Sequence, residues 1–456
     1  MQRAIPRLLI SAAGSGAGKT TVTAALLAAL CDRGLCVQSL KCGPDYIDPM
    51  FHSHITGRQT YHADPFFLTQ DAMTKLIARV SADADCTILE GAMGYYDGIQ
   101  STSEASAYTV SDWLQTPTLL VLSPQGMGCS AAAVCRGFQT FRTPNPICGI
   151  LLNRVRSGMY SYYKNLLERE TGLPVLGYLP ELPEVQLESR HLGLMTAGEV
   201  ADLDKKIRLL GKTAAETIQL EQLLTLAQNA PPLPELPKPK KSAASFRLGV
   251  ARDKAFCFTY AENLELLEQC GAELVYFSPM EDNALPEELD GLYFCGGYPE
   301  LYLPQLSGNH SFLQSLRRLA KNGIPIWGEC GGFLYLQESM TGADGACYPL
   351  AGLLPGTSHM GKRLCRFGYV TLTAQTDTIL GRAGMTIRAH EFHYADSTEN
   401  GNAFLVQRPG GKCWEAVQSV GRITAGFPHL YFPSNPEVPS NFAAQCQAYR
   451  KERMSC

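Results

Sequence analysis

Ala13-Gly-Ser-Gly-Ala-Gly-Lys19-Thr20 is the stretch that decides the fold of the first half. It matches the phosphate-loop pattern G-x-x-x-x-G-K-[ST], with Ala13 in place of the first glycine. Such a loop wraps successive backbone N–H groups, those of Gly16 and Gly18 among them, around phosphate oxygens. Lys19 then reaches the β- and γ-phosphates, the Thr20 hydroxyl takes Mg²⁺, and the helix N-terminus that also carries Thr21 adds its dipole. A plain glycine turn needs no particular flanks. Here Arg7-Leu-Leu-Ile10 reads as a strand before the loop. Val22, Ala25, Leu26, Ala29 and Leu30 recur after it at the spacing of an amphipathic helix, with Gly34 as its stop.

Further out, Cys86-Thr-Ile-Leu89, Thr118-Leu-Leu-Val-Leu122 and Ile147-Cys-Gly-Ile-Leu-Leu152 alternate with helical stretches. That alternation predicts an α/β fold, a wound parallel sheet with helices on both faces. Ligands of such sheets meet the carboxyl ends of the strands, and two acidic segments fall there. Lys41-Cys-Gly-Pro-Asp45-Tyr46-Ile-Asp48-Pro follows the strand-like Val37-Gln-Ser-Leu40, and Glu90-Gly-Ala-Met-Gly-Tyr-Tyr-Asp97-Gly follows Leu89. Mg²⁺ takes one or two carboxylates beside phosphate oxygens, which makes Asp45, Asp48, Glu90 and Asp97 candidates. Their plainer role would be to stabilise turns next to Gly or Pro. Lys41 is placed to neutralise a carboxylate or a phosphoryl group.

Asn229-Ala-Pro-Pro-Leu-Pro-Glu-Leu-Pro-Lys-Pro-Lys-Lys241 carries five prolines, which forbid a continuing helix and predict an extended, semi-rigid linker. Residues 1–228 form one expected domain, 229–243 the linker and 244–456 a second domain. The second half repeats the strand–helix alternation, with strands at Arg247-Leu-Gly-Val-Ala251, Glu273-Leu-Val-Tyr-Phe277, Leu292-Tyr-Phe-Cys295 and Ile324-Pro-Ile-Trp327. From about Gly368 the texture turns strand-rich. Between the last of those strands and the next helix stands Gly328-Glu-Cys330-Gly331-Gly332. G-x-C-G-G is the thiol counterpart of the G-x-S-x-G nucleophile elbow. Small neighbours let the turn close, the helix N-terminus is expected to lower the thiol pKa, and the Gly331 N–H can face an oxyanion, with Gly297 a second donor. The base has to be a distant histidine. His429, after a strand, is the candidate; His390 and His393 read as pocket or packing residues, and only two residues separate them, so H-E-x-x-H and its zinc chemistry do not apply.

Composition narrows the function classes. Hydrophobic residues make up 45% of the 456, which excludes wholesale disorder, and charged residues 18%, which fits much buried sheet. A net charge of −4 argues against a nucleic-acid or anionic-membrane binder. The opening residues carry no apolar leader, and no run of about 18 apolar residues suggests a spanning helix. The sixteen cysteines are scattered, many in apolar strand-like runs, and form no C-x-x-C. They read as buried thiols of a cytoplasmic protein.

A phosphate loop first and a cysteine elbow second resemble the cobyrinate a,c-diamide synthase family, glutamine-dependent amidotransferases of corrinoid biosynthesis. The likeness covers almost the whole chain. It is carried by Ser15-Gly-Ala-Gly-Lys-Thr20, Lys41-Cys-Gly-Pro-Asp-Tyr-Ile-Asp-Pro49, Glu90-Gly-Ala-Met-Gly94, Arg190-His-Leu-Gly-Leu194, Ala251-Arg-Asp-Lys-Ala-Phe256, Gly328-Glu-Cys-Gly-Gly332 and His390-Glu-Phe-His-Tyr394. The resemblance implies a first domain similar to dethiobiotin synthetase and a second similar to class I glutamine amidotransferases. It implies ATP and L-glutamine as cosubstrates, cobyrinate as acceptor, and Mg²⁺ near Thr20, Asp45 and Glu90. It further implies Asn153 at the adenine, Lys41, Asp45, Tyr46, Asp48 and Asp97 at the corrinoid, Cys330 as nucleophile and His429 as its base. Many class I amidotransferases place an acid two residues after the histidine, and here Tyr431 stands there. That favours a Cys–His dyad and leaves a third partner, such as Glu329 or Asp396, open. The same chemistry on hydrogenobyrinate or nickel-sirohydrochlorin is the nearest alternative. A nucleotide-switch ATPase of the partitioning type is more remote, since those carry lysine where this chain has Gly14.

Overall fold

A computed structural model describes residues 2–185, 189–190, 193–194, 200, 202–237 and 243–455. His191 and Leu192 of the Arg190–Leu194 motif, and residues 238–242 of the proline-rich stretch, lie outside the described residues. The chain divides into two compact units, Met1–Lys238 and Pro239–Cys456.

The first unit is built on seven strands: β1 (Arg7–Ala12), β2 (Val37–Lys41), β3 (Tyr61–His62), β4 (Cys86–Glu90), β5 (Thr118–Leu122), β6 (Ile147–Asn153) and β7 (Val175–Leu179). They lie in the order β3-β2-β4-β1-β5-β6-β7, all parallel. β1, β2, β4 and β5 are buried along their whole length, as expected of strands covered on both faces. Helix α1 (Lys19–Asp32) follows the glycine loop, α2 (Ile47–Thr56) follows β2, and α3 (Gln70–Val80) precedes β4.

One expectation fails in an instructive way. α1 is not amphipathic: every residue from Val22 to Leu30 is buried. Its outward face is covered by a helix at Leu203–Thr217, where a Cβ on Gly211 would meet the Ala28 methyl at 3.0 Å. A helix apolar all round has to be buried all round.

Part of the proline-rich stretch belongs to this unit. Leu233–Pro234 pairs antiparallel with Gln2–Arg3, and the buried Arg7 guanidinium donates to Pro231 O at 2.7 Å and Leu114 O at 2.7 Å.

The second unit has a six-stranded sheet of β8 (Phe246–Ala251), β9 (Ala272–Phe277), β10 (Gly291–Phe294), β11 (Ile326–Glu329), and two later strands. A five-stranded sheet intervenes in the chain, made of β12 (Arg366–Ala374), β13 (Thr386–His393), β14 (Phe404–Gln407), β15 (Cys413–Ala416) and a last strand. The later strands of the first sheet are β16 (Gln418–Val420) and β17 (Ile423–Gly426), and β18 (His429–Leu430) completes the second. The orders are β9-β8-β10-β11-β17-β16 and β15-β14-β12-β13-β18. The first is parallel except for β16, and the second is antiparallel throughout. The strand-rich texture after Gly368 is this second sheet.

Between β11 and α4 (Gly331–Leu336) the chain turns at Cys330 and buries every residue of the helix. The turn closes because the residues around it have no side chain: a Cβ at Gly332 would overlap Phe294 O, and one at Gly328 would sit 2.9 Å from the Ala425 Cβ. Gly332→Ala is therefore expected to destabilise the second unit by about 3 kcal/mol. Gly308→Ala, with open space around it, should stay within about 0.5 kcal/mol of wild type. Urea unfolding of both variants checks this; equal midpoints would contradict the packing account.

Candidate active sites

The first site sits at the carboxyl ends of β1, β2 and β4, three adjacent strands in register at Ile10–Glu90 and Lys41–Glu90. Gly18 ends the loop at φ 88° and is the residue from which α1 starts. A Cβ there would overlap the Asn153 amide, which donates from Nδ2 to Ala17 O at 2.9 Å. Asn153, at the end of β6, thus braces the loop. Lys19 Nζ donates to Gly14 O at 3.2 Å, folded back over the loop. Gly16, also left-handed at φ 78°, is exposed, and Thr21 is half-buried on α1.

Four side chains converge beside the loop. The Thr20 hydroxyl lies 2.9 Å from Glu90 Oε1 and 3.3 Å from Asp48 Oδ1. Lys41 Nζ lies 2.9 Å from Asp48 Oδ2, 3.1 Å from Glu90 Oε1 and 3.2 Å from Gly91 O. Sequence reasoning set Asp45 with Thr20 and Glu90. The structure puts Asp48 there, and turns Asp45 Oδ2 onto the Asp48 N–H at 2.8 Å. The reason is that α2 begins at Ile47, so Asp48 lies in its first turn while Asp45 stays in the turn before it. Tyr46 is buried at the start of α2 with its ring edge-on to His62. Asp97 is exposed and accepts the Gly94 N–H at 2.9 Å, in a loop tied to β1 by the Tyr95 N–H on Ala12 O.

His52 was missed. Its Nε2 lies 2.8 Å from Glu90 Oε2, and both side chains are fully buried. The signal was its i,i+4 spacing from Asp48, which puts both on one face of α2.

Burial opposes charge throughout this cluster. For Lys41, Asp48 and Glu90 outweigh burial and hold the ammonium above its ordinary value. Lys41 and His52 outweigh it for Glu90, whose carboxyl is held well below the usual range. Asp48 moves the other way, pushed up by burial and by the Glu90 charge. Lys19 is lowered by burial and then by Lys41. Two carboxylates and a hydroxyl thus converge where their mutual repulsion is only partly relieved, which suits a divalent cation shared with phosphate oxygens.

The second site is at the carboxyl end of β11. Cys330 takes φ 46° and ψ −102°, the strained left-handed geometry of a nucleophile elbow. Its N–H donates to Gly426 O at 2.8 Å, which fixes the turn against β17. Gly331 approaches Gly297 so closely that a Cβ on it would lie 3.0 Å from Gly297 N. A Cβ on Gly296 would overlap His429 Cε1. Cys330, the Gly296–Gly297 turn and His429 are thereby gathered round one point. His390 pairs with His429 across β13 and β18, and His393 stacks on Phe427 at 3.8 Å.

The expected low thiol pKa is not found. Burial pushes Cys330 up, with the Glu300 charge adding to it, and α4 is only six residues long. Burial, then His390 and His393, lower His429 to about 3. Burial thus disfavours the charged form of both groups.

Glu329, the residue before the nucleophile, is buried against this pair. It accepts Tyr293 OH at 2.8 Å, Trp327 Nε1 at 3.1 Å and the Leu430 N–H at 3.1 Å. Its Oε2 lies 4.0 Å from His429 Nδ1. Asp396 instead caps its own strand end, accepting the Ser397 N–H at 2.9 Å.

Comparison with known proteins now bears on both sites. Residues 8–194 match the CobQ/CobB/MinD/ParA nucleotide binding domain and residues 247–436 the CobB/CobQ-like glutamine amidotransferase domain. The chain is 38% identical over 455 residues to the cobyrinate a,c-diamide synthase of Priestia megaterium, covering 98% of each. It is 38% identical over 443 residues to that of Listeria innocua serovar 6a, covering 95% of this chain and 97% of the relative. Against that of Dehalococcoides mccartyi strain CBDB1 it is 36% identical over 450 residues, covering 96% and 97%. The chain belongs to the cobyrinate a,c-diamide synthase family. Both units fall within the match, so the two sites belong to one family architecture. Among the described residues, no helix is long and apolar enough to cross a membrane, and every described cysteine is a free thiol.

The second unit carries a pH signature. Burial lowers His390 to about 3, His393 to about 4 and His429 to about 3. It raises Glu329 and Glu391 each to about 7. As pH falls below the ordinary histidine value near 6.5, the unfolded chain takes up histidine protons that the native state refuses, which destabilises the fold. Over the same range the native state binds protons on the two carboxyls that the unfolded chain lacks, which stabilises it. The three histidines outnumber the two carboxyls. Stability should therefore fall by about 1 kcal/mol per pH unit from pH 6.5 to 5. Urea unfolding followed through tryptophan fluorescence measures it, and a flat or rising midpoint on acidification would contradict it.

Proposed function

We infer that the chain is an ATP- and glutamine-dependent ligase that amidates the a and c acetate carboxylates of cobyrinate. The observation that carries this is the presence, in one chain of that family, of a braced phosphate loop and a strained cysteine elbow backed by a histidine. Neither site alone makes an amide from a carboxylate with glutamine as the nitrogen donor. A cytoplasmic location accords with the free thiols.

At the second site the Cys330 thiol proton passes to His429 and the sulfur attacks the glutamine side-chain amide. The Gly331 N–H, with Gly297 opposite, stabilises the oxyanion. His429 returns the proton to the departing nitrogen, which leaves as ammonia. Water then gives its proton to His429, attacks the thioester and releases glutamate and the thiol.

At the first site Gly16, Gly18 and Thr21 cradle the phosphates of ATP, Lys19 neutralises the β/γ oxygens, and Asn153 holds the loop and faces the base. Thr20, Glu90 and Asp48, with Asp45 behind, would hold Mg²⁺, which would supply charge neutralisation for the transferred phosphoryl group. Tyr46, Asp45 and Asp97 border the corrinoid, and Lys41, its donors all engaged, acts on it through Asp48 and Glu90. Its carboxylate oxygen attacks the γ-phosphorus, the bond to the β-bridging oxygen breaks, and ADP departs. Ammonia displaces phosphate from the acyl phosphate and leaves an amide.

The test is mass spectrometry of cobyrinic acid incubated with ATP and either glutamine or ammonium salt. Wild type should add two amides with either donor. Cys330→Ala should lose the glutamine reaction by at least about 10³-fold and keep the ammonium one, and Glu90→Gln should lose both. Intact glutaminase with no mass gain on cobyrinic acid would overturn the acceptor and point to hydrogenobyrinate or nickel-sirohydrochlorin.

A further inference from the structure

A base that must take a proton on one imidazole nitrogen needs an acceptor on the other, which fixes the tautomer and stabilises the imidazolium as it forms. The residue two positions after His429 is Tyr431, which carries no carboxylate and whose buried ring stands edge-on to Tyr260. The strand of the nucleophile offers an acid instead. Glu329 ends β11, and its carboxylate lies inside the unit with Oε2 at 4.0 Å from His429 Nδ1. Its position is fixed from three sides. Tyr293 of β10 donates to Oε2, while Trp327 of its own strand and the Leu430 N–H donate to Oε1. Leu430 adjoins His429, so the same carboxylate also pins the backbone that carries the base.

We propose that Glu329 is the positioning residue of the glutaminase pair: it orients His429 through Nδ1 and stabilises the imidazolium while the Cys330 proton resides on Nε2. The third member of the constellation thus comes from the strand of the nucleophile. This rests on the assignment of Cys330 and His429 as the glutaminase pair. At 4.0 Å the two groups stand within ion-pair range once His429 carries the proton. No co-reactant is needed: Glu329 changes no bond, and the proton moves from Cys330 sulfur to His429 and on to the leaving ammonia.

Glu329→Gln keeps the size of the side chain, an oxygen for Trp327 and Leu430, and a polar group for Tyr293. Glutamine-dependent amidation should fall roughly 10²-fold or more in kcat, with KM for glutamine within about threefold, and the loss should be confined to glutamine as donor. Glu329→Asp should recover part of that kcat. A merely structural role would leave kcat for glutamine near wild type in Glu329→Gln, or would lower the ammonium-driven reaction in parallel; either result overturns the proposal. Cys330→Ala is run beside it. If that variant keeps its glutaminase the underlying pair is wrong, whereas loss in Cys330→Ala with full activity in Glu329→Gln removes only the role of Glu329.

Discussion

The ammonium of Lys41, buried between Asp48 and Glu90 and capped by Gly91 O, is the contact around which the first site is arranged. Removing three charges from water is expensive unless each finds its partners. All three Lys41 donors have acceptors, and Glu90 in turn meets Thr20 and His52. Because Lys41 ends β2, Glu90 ends β4 and Thr20 opens the helix after β1, the cluster locks three strand ends into one ligand-facing rim. The phosphate loop is positioned by the same rim, since Gly91 and Tyr95 donate their N–H groups to Ile10 O and Ala12 O of β1.

Burial governs the second site by the opposite means. There it removes charge instead of pairing it. Burial pushes the Cys330 thiol up and the His429 imidazole down, so it disfavours the charged form of both. The strain sits in the backbone of Cys330, where a left-handed non-glycine is held by Gly331 and Gly332 packing tightly onto the Gly297 turn and Phe294.

What the sequence made legible follows from how local each feature is. The phosphate loop and the elbow are contiguous, and their flanking periodicities name the strand and helix on either side. α1 was misjudged because its outer cover, Leu203–Thr217, comes from far along the chain and leaves no mark in the spacing of Val22 to Leu30. Which of Asp45 and Asp48 turns toward Thr20 is set by the start of α2 at Ile47, and Gly-Pro-Asp-Tyr-Ile-Asp is equally good as a turn. Trp327 and Glu329 share one face of β11 by strand alternation. Where that face points depends on Tyr293 and Leu430, which only the assembled sheets bring near.

Activation of a carboxylate by phosphoryl transfer at the first site, before ammonia arrives, leaves an isotopic trace. Cobyrinic acid labelled with ¹⁸O in its carboxylates tests it most directly, with the released phosphate analysed by mass. One ¹⁸O atom should appear in inorganic phosphate for each amide formed. Phosphate free of the label, alongside normal amide formation, would contradict it.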